Sequence, residues 1–150
     1  MPSPGEAANG RRSGLVIAAI ALIGLGIATY LTWARLAGTP PICGPSGGCE
    51  TVEASAYSAV AGVPVALLGI GYSAALAIAG LSWWRRGVRA ALLAAYGLGL
   101  AGLLVEAYLV YLEVAVIHAV CLWCAGYGIT ILAGWIGATV ALRSDGERPA

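Results

Sequence analysis

Four cysteines stand in two close pairs, Cys43 with Cys49 and Cys121 with Cys124. Neighbouring thiols can close a disulfide, pass it to another thiol pair, or hold a soft metal. In a Cys-x-x-Cys at a helix start, backbone N–H groups and the helix dipole favour the thiolate, the form that attacks disulfides. Haem attachment requires a histidine directly after the second cysteine, and Ala125 occupies that position. The other pair lies in Pro40-Pro41-Ile42-Cys43-Gly44-Pro45-Ser46-Gly47-Gly48-Cys49. Proline and glycine at this density predict turns without a regular element, and a mobile loop suits a disulfide that shuttles between partners. The alternative is a structural staple closing a short loop, which leaves the second pair without a use.

The elements that must position these thiols are long uncharged runs: Gly14 to Ala34, Ala54 to Trp84, Ala90 to Leu112 interrupted only by Glu106, and Val114 to Leu142. A hydrocarbon core about 30 Å thick is crossed by roughly 20 helical residues, so each run can span it once. The expected fold is an all-α membrane protein, a four-helix bundle. Apolar residues make up 60% and charged residues 10% of the chain, too little polar surface to cover a soluble domain of this size. The net charge of +1 gives no reason to expect nucleic acid. All eight basic residues are arginines, and seven of them (Arg11, Arg12, Arg85, Arg86, Arg89, Arg143, Arg148) fall on one side of such a bundle. The positive-inside rule makes that side cytoplasmic and predicts both termini inside. This divides the chain into a cytoplasmic tail 1–13, a redox domain 14–142 with an outer loop 35–63, and a cytoplasmic tail 143–150. The loop and a short link from Glu113 to Val120 then lie outside, where paired cysteines are oxidised. Two dithiols on the outer face of a membrane protein imply a redox relay. A cleaved signal sequence is the competing reading of the first run, but its apolar stretch exceeds the usual core and its removal leaves an odd number of helices.

Small residues recur at three- or four-residue spacing: Ala21, Gly24 and Ala28; Ala66, Gly69, Ser73 and Ala77; Gly99 and Gly102; Gly126, Thr130, Gly134 and Gly137. They allow close helix approach in lipid. Trp33 near the outer boundary, and Trp83 and Trp84 near the inner one, read as interfacial anchors. Counting back from Leu142 puts Cys121 to Cys124 at the outer start of the fourth helix, with Cys124 the deeper thiol. Thr51 to Ala61 is expected to form a short lid helix across the bundle mouth.

An ionised carboxylate at the membrane centre costs roughly 2.5 kcal/mol or more. Glu106, on one face with Gly99, Gly102 and Glu113, therefore reads either as a neutral proton carrier or as a polar helix contact. His118, three residues before Cys121, could take its proton or simply sit at the interface. Tyr108, Tyr111 and Tyr127 lie in the outer third of helices three and four, as pocket residues or as an aromatic belt; Tyr127 is one turn below Cys124. Electrons reaching a membrane boundary need an acceptor, and with no metal or flavin signature a lipid-soluble one fits. For two-electron chemistry each 30 mV is about 1.4 kcal/mol, so a high-potential quinone drives thiol oxidation far to completion.

The Cys43–Cys49 loop, Ser55-Ala56-Tyr57, Gly62-Val63-Pro64-Val65-Ala66-Leu67-Leu68-Gly69 and His118-Ala119-Val120-Cys121-Leu122-Trp123-Cys124 together resemble the bacterial homologues of vitamin K epoxide reductase. The resemblance implies a four-helix bundle around a quinone, with electrons passing from a secreted thiol protein to the loop pair, then to Cys121 and Cys124, then to the quinone. It implies that Cys43 meets the partner, Cys49 exchanges with Cys121, Cys124 faces the quinone, and Ser55 belongs to the pocket, beside Tyr57. Many bacterial members carry a fused thioredoxin-like domain; here the partner is expected to be a separate extracytoplasmic thioredoxin-like protein at the bacterial inner membrane. Animal members bond the quinone carbonyl with an asparagine, and the only asparagine here is Asn9 in the tail. Epoxide reduction is therefore not expected, and the carbonyl donor stays open. The disulfide bond formation protein B family does similar work but carries its Cys-x-x-Cys in the first outer loop. Abundant alanine, glycine and arginine with no lysine suggest a high-GC genome, ranking menaquinone above ubiquinone. Other classes are a zinc site built from the four thiolates and a disulfide-stapled, non-enzymatic membrane scaffold; no metal is expected, because the loop spacing is unlike that of a zinc hairpin.

Overall fold

The computed structural model describes residues 4–147; Arg148 and the outermost residues of both expected tails lie outside them. Four helices are long and apolar enough to cross a membrane: α1 (Pro4–Leu36, apolar from Gly10), α3 (Val65–Arg86), α4 (Arg89–Tyr111, continued to Ile117) and α5 (Leu122–Gly146). A short helix α2 (Gly48–Ala54) and a two-stranded hairpin, β1 (Ala59–Val60) with β2 (Val63–Pro64), lie between α1 and α3. The protein is a multi-pass membrane helical bundle.

Backbone chemistry sets the element ends. The last turn of α1 is closed by Ala37 N–H to Trp33 O and Thr39 N–H to Ala34 O, with Gly38 left-handed at φ +65°. Pro40 and Pro41 then forbid continuation, since neither supplies an N–H. The 31-residue run from Ala54 does not form one helix. The turn Ala61–Gly62 has φ +52° and +83°, the sign pattern of a tight antiparallel hairpin, and α3 begins only after Pro64. The lid helix accordingly comes earlier than expected, over Gly48–Ala54, followed by a single 3₁₀ turn at Ala56–Ser58. α3 ends at Gly87, left-handed at φ +63°, whose N–H bonds Trp83 O.

α1 packs along α3 and α5, and α4 packs along α5 and α3. The small-residue stripes lie at these contacts: a Cβ on Gly99 would come within 2.8 Å of Trp135, and one on Gly134 within 3.1 Å of Leu76. α1 and α3 cross closely at Gly14 and Gly80, where a Cβ on Gly14 would sit 2.5 Å from Gly80 O. Trp83 is not an interfacial anchor. Only 3% exposed, it donates its indole N–H to Gly10 O at 3.1 Å and seals the end of α1. Arg11 bonds the Trp84 and Arg85 carbonyls, and Arg89 pairs with Asp145 at 3.7 Å, so the arginines gather at the bundle end opposite the cysteines.

Candidate functional site

Two chain segments meet at the cysteine end of the bundle. In the first, Cys43 and Cys49 are joined by a disulfide with Cα atoms 5.7 Å apart. The loop between them is more ordered than its composition suggests: a 3₁₀ turn at Gly44–Ser46 passes through left-handed Gly47 directly into α2. Neither cysteine projects into solvent, since Cys49 is fully buried and Cys43 is 9% exposed. Their burial differs from what a mobile loop of turns suggests, and its cause is packing. Cys43, Cys49 and Cys121 form one buried cluster with Val52, Trp123 and Cys124 packed against it.

Gly48 makes this packing possible. A side chain there would run into the Val120 carbonyl, so the backbone beside Cys49 lies directly against the backbone beside Cys121. The composition suggested that this glycine provided loop mobility; the close approach gives it a specific steric task.

The second segment starts where α4 becomes a π-helical turn, Leu112–Ile117, rather than the irregular link expected from Glu113 onward. The turn ends at His118 in the left-handed region (φ +55°), and Cys121 then caps α5. The Cys121 sulfur accepts the Cys124 N–H at 3.3 Å, and its own N–H donates to the Glu113 carboxylate at 3.1 Å. The Cys124 thiol, donating toward the Cys121 sulfur, holds the Cys121 thiol below its ordinary pKa, against the opposing effect of burial. His118 is exposed and takes no part in this network, so its expected contact with Cys121 is absent among the described interactions. Glu113 occupies that place instead, 6% exposed and also facing the Cys124 thiol. Its signal was already in the sequence, seven residues after Glu106 on the same helical face.

Beyond Cys124 a cavity of about 500 Å³ opens between α1, α3, α4, α5 and the lid. Cys124, Glu106, Glu113 and Tyr127 line it from the bundle, and Ser55 and Tyr57 from the lid. Gly128, one turn below Cys124, leaves room for the Glu106 carboxyl; a Cβ there would fall 2.5 Å from Glu106 Oε1. Tyr127 is committed elsewhere, donating to Gly69 O at 2.8 Å and pairing with Ser73 Oγ at 3.0 Å. The Ser55 hydroxyl likewise donates to Val52 O at 2.7 Å, which leaves it an acceptor toward the cavity. Tyr108 lines the cavity at its margin, whereas Tyr111 does not line it and is 59% exposed. At about 100° per residue, Tyr111 falls past Tyr108 on the far side of the lining arc of α4. Tyr72, which the sequence did not single out, lines the same cavity, with its hydroxyl buried and without a hydrogen-bond partner in the described structure.

The lid is held by Arg35, the one arginine at this end among the described residues. Its guanidinium donates to the Glu53 carboxylate at 2.8 Å and the Ser58 hydroxyl at 2.7 Å.

Residues 15–139, a segment that includes all four cysteines, match the family model described as "Vitamin K epoxide reductase family".

Proposed function

Because the chain belongs to the vitamin K epoxide reductase family, a quinone-linked group of membrane thiol oxidoreductases, we propose that it oxidises a secreted thioredoxin-like protein and passes the electrons to a membrane quinone. The observation that carries this reading is the position of the Cys121–Cys124 pair. Cys121 packs against the loop disulfide while Cys124 lines the cavity, so one dithiol touches both ends of the route. Electrons enter at Cys43, move by exchange between Cys49 and Cys121, and leave from Cys124. The route supports disulfide bond formation outside the cytoplasm.

The cavity fits a quinone head group. Its volume is within the range of small-molecule sites, its wall is mostly apolar, and two of its polar groups, the Glu106 and Glu113 carboxyls, lie beside Cys124. A bound quinone supplies a two-electron, two-proton acceptor. Closing the Cys121–Cys124 disulfide releases two electrons and two thiol protons, and Glu113 and Glu106 are the carboxyls beside Cys124 able to hold those protons. The lid side chains Ser55 and Tyr57 shield the head group from water. Menaquinone is the favoured acceptor, with ubiquinone the alternative.

Anaerobic mixing of the reduced protein with menaquinone or ubiquinone analogues tests the reading, with hydroquinone formation matched to disulfide closure. In the same assay Glu106→Gln should slow the quinone step about 100-fold, the lower end of general acid–base contributions. The protein should remain folded, because the carboxamide fits the notch at Gly128. Unchanged turnover would reduce Glu106 to packing.

We further propose that the arginine-rich end faces the cytoplasm of a bacterial cell. After reduction, a membrane-impermeant thiol reagent applied outside intact cells should label Cys43, and labelling only from the cytoplasmic side would reverse the orientation.

A further inference from the structure

Ile42 precedes Cys43, and both of its backbone polar groups are held by aromatic side chains from elsewhere in the bundle. Its N–H donates to the Tyr30 hydroxyl of α1 at 3.0 Å, and its carbonyl accepts the Trp123 indole N–H of α5 at 2.8 Å. The two rings pack against each other in a tilted arrangement, with centroids 4.8 Å apart and planes at 46°. Pro40 and Pro41, directly upstream, offer no N–H of their own. Trp123 lies between Cys121 and Cys124 in sequence and packs against the buried cysteine cluster. The group that fixes the loop is therefore built into the motif with which the loop must react. The Ile42 side chain itself is 81% exposed, so hydrophobic burial does not anchor this segment.

We propose that Tyr30 and Trp123 are positioning residues that latch the loop disulfide against Cys121, and that release of this latch exposes Cys43 to the partner. The inference rests on the relay reading above. In the relay the Cys49 thiolate bonds to Cys121 sulfur as the Cys121–Cys124 bond breaks and Cys124 leaves as thiolate; the Cys43 thiolate then bonds to Cys49 and Cys121 leaves, which re-forms the loop disulfide with electrons and sulfurs balanced within the chain. Both attacks benefit from fixed geometry. Attack by an external thiol on Cys43, 9% exposed when latched, benefits from release. One pair of hydrogen bonds thus has opposite effects on the two steps, which a merely structural role would not produce.

Tyr30→Phe and Trp123→Phe each remove one hydrogen bond and keep a ring. In a Cys43→Ala/Cys124→Ala background, formation of the Cys49–Cys121 cross-link under oxidised glutathione should slow about tenfold in each variant, about the loss expected for one hydrogen bond. With all four cysteines present, attack of reduced glutathione on the loop disulfide should accelerate severalfold in the same variants. Neither measurement involves quinone, so failure of the quinone assignment would leave both results standing. A parent background that forms no cross-link would overturn the relay and the latch together. Both rates within twofold of the parent, or both moving in the same direction, would overturn the latch alone.

Discussion

Cys49→Ala should accumulate a disulfide-linked adduct between Cys43 and its secreted partner while turnover falls to background. Cys49 is fully buried beside Cys121, whereas Cys43 retains some exposure and is flanked by exposed Ile42, Gly44 and Pro45. An incoming thiolate therefore reaches Cys43 sulfur, and Cys49 is the thiol that must leave or resolve the mixed disulfide. Without Cys49 the adduct forms in the reverse sense, the Cys43 thiolate bonding one sulfur of the oxidised partner's disulfide while the partner's other sulfur leaves as thiolate, and it has no exit within this chain. Mass spectrometry of Cys49→Ala and Cys43→Ala membranes, without reductant, reads the outcome. Adducts on Cys49 in preference to Cys43 would reverse the entry order. Adducts on neither would mean that the partner engages Cys121 directly, and the loop would then be a staple after all. Removing Cys121 instead should leave Cys124 at the cavity wall with no supply of electrons from the loop.

Patterns that depend on local composition were legible in the chain, and contacts between distant segments were not. Four spans, the cysteines together at one end and an arginine-rich opposite end follow from uncharged runs and charge placement, and the bundle has them. The second run misled over its first part because absence of charge does not distinguish a helix from a lid. Ala56 to Val63 is as uncharged as the Val65 to Trp84 stretch of α3, but a hairpin turn at Ala61–Gly62 ends the possibility of a continuous helix. In the site, Glu106 could be singled out because it interrupts an apolar run, and Ser55 and Tyr57 because Ser55-Ala56-Tyr57 is part of the family resemblance. Tyr111 was singled out by its depth alone and lies past the edge of the cavity, since depth in the membrane says nothing about which way a helix is rotated. Glu113 was read both on the Glu106 face and as the start of a link, because it stands between the third and fourth uncharged runs. The π-helical turn carries it under Cys121. Tyr72 and the Tyr30–Trp123 pair depend on the packing of α1, α3 and α5, which no spacing rule specifies.

Gly48→Ala should lower overall turnover on the order of 100-fold, the effect of displacing reacting groups by about 1 Å. The added methyl would meet the Val120 carbonyl, which is backbone and cannot swing aside as a side chain would. Either α2 lifts away from the segment before Cys121 or that segment yields; both increase the separation of Cys49 from Cys121. The position is otherwise undemanding, because Gly48 has no left-handed backbone and alanine is the better helix former. Destabilisation should accordingly be modest and the bundle should persist, since α1, α3, α4 and α5 make their contacts elsewhere. The step affected can be isolated with a small dithiol that reduces Cys121–Cys124 directly. Oxidation of that pair by quinone should then proceed within about twofold of the parent, because Cys124, Glu106 and Glu113 line the cavity from α4 and α5 and are untouched by the substitution. Transfer from the loop should remain slow in the same preparation. Equal loss in both assays would mean that the lid, rather than the approach of the two cysteine pairs, is what Gly48 maintains. No loss in either would show that the crossing of Gly48 and Val120 has slack, and that the two disulfides meet through motion rather than through fixed proximity.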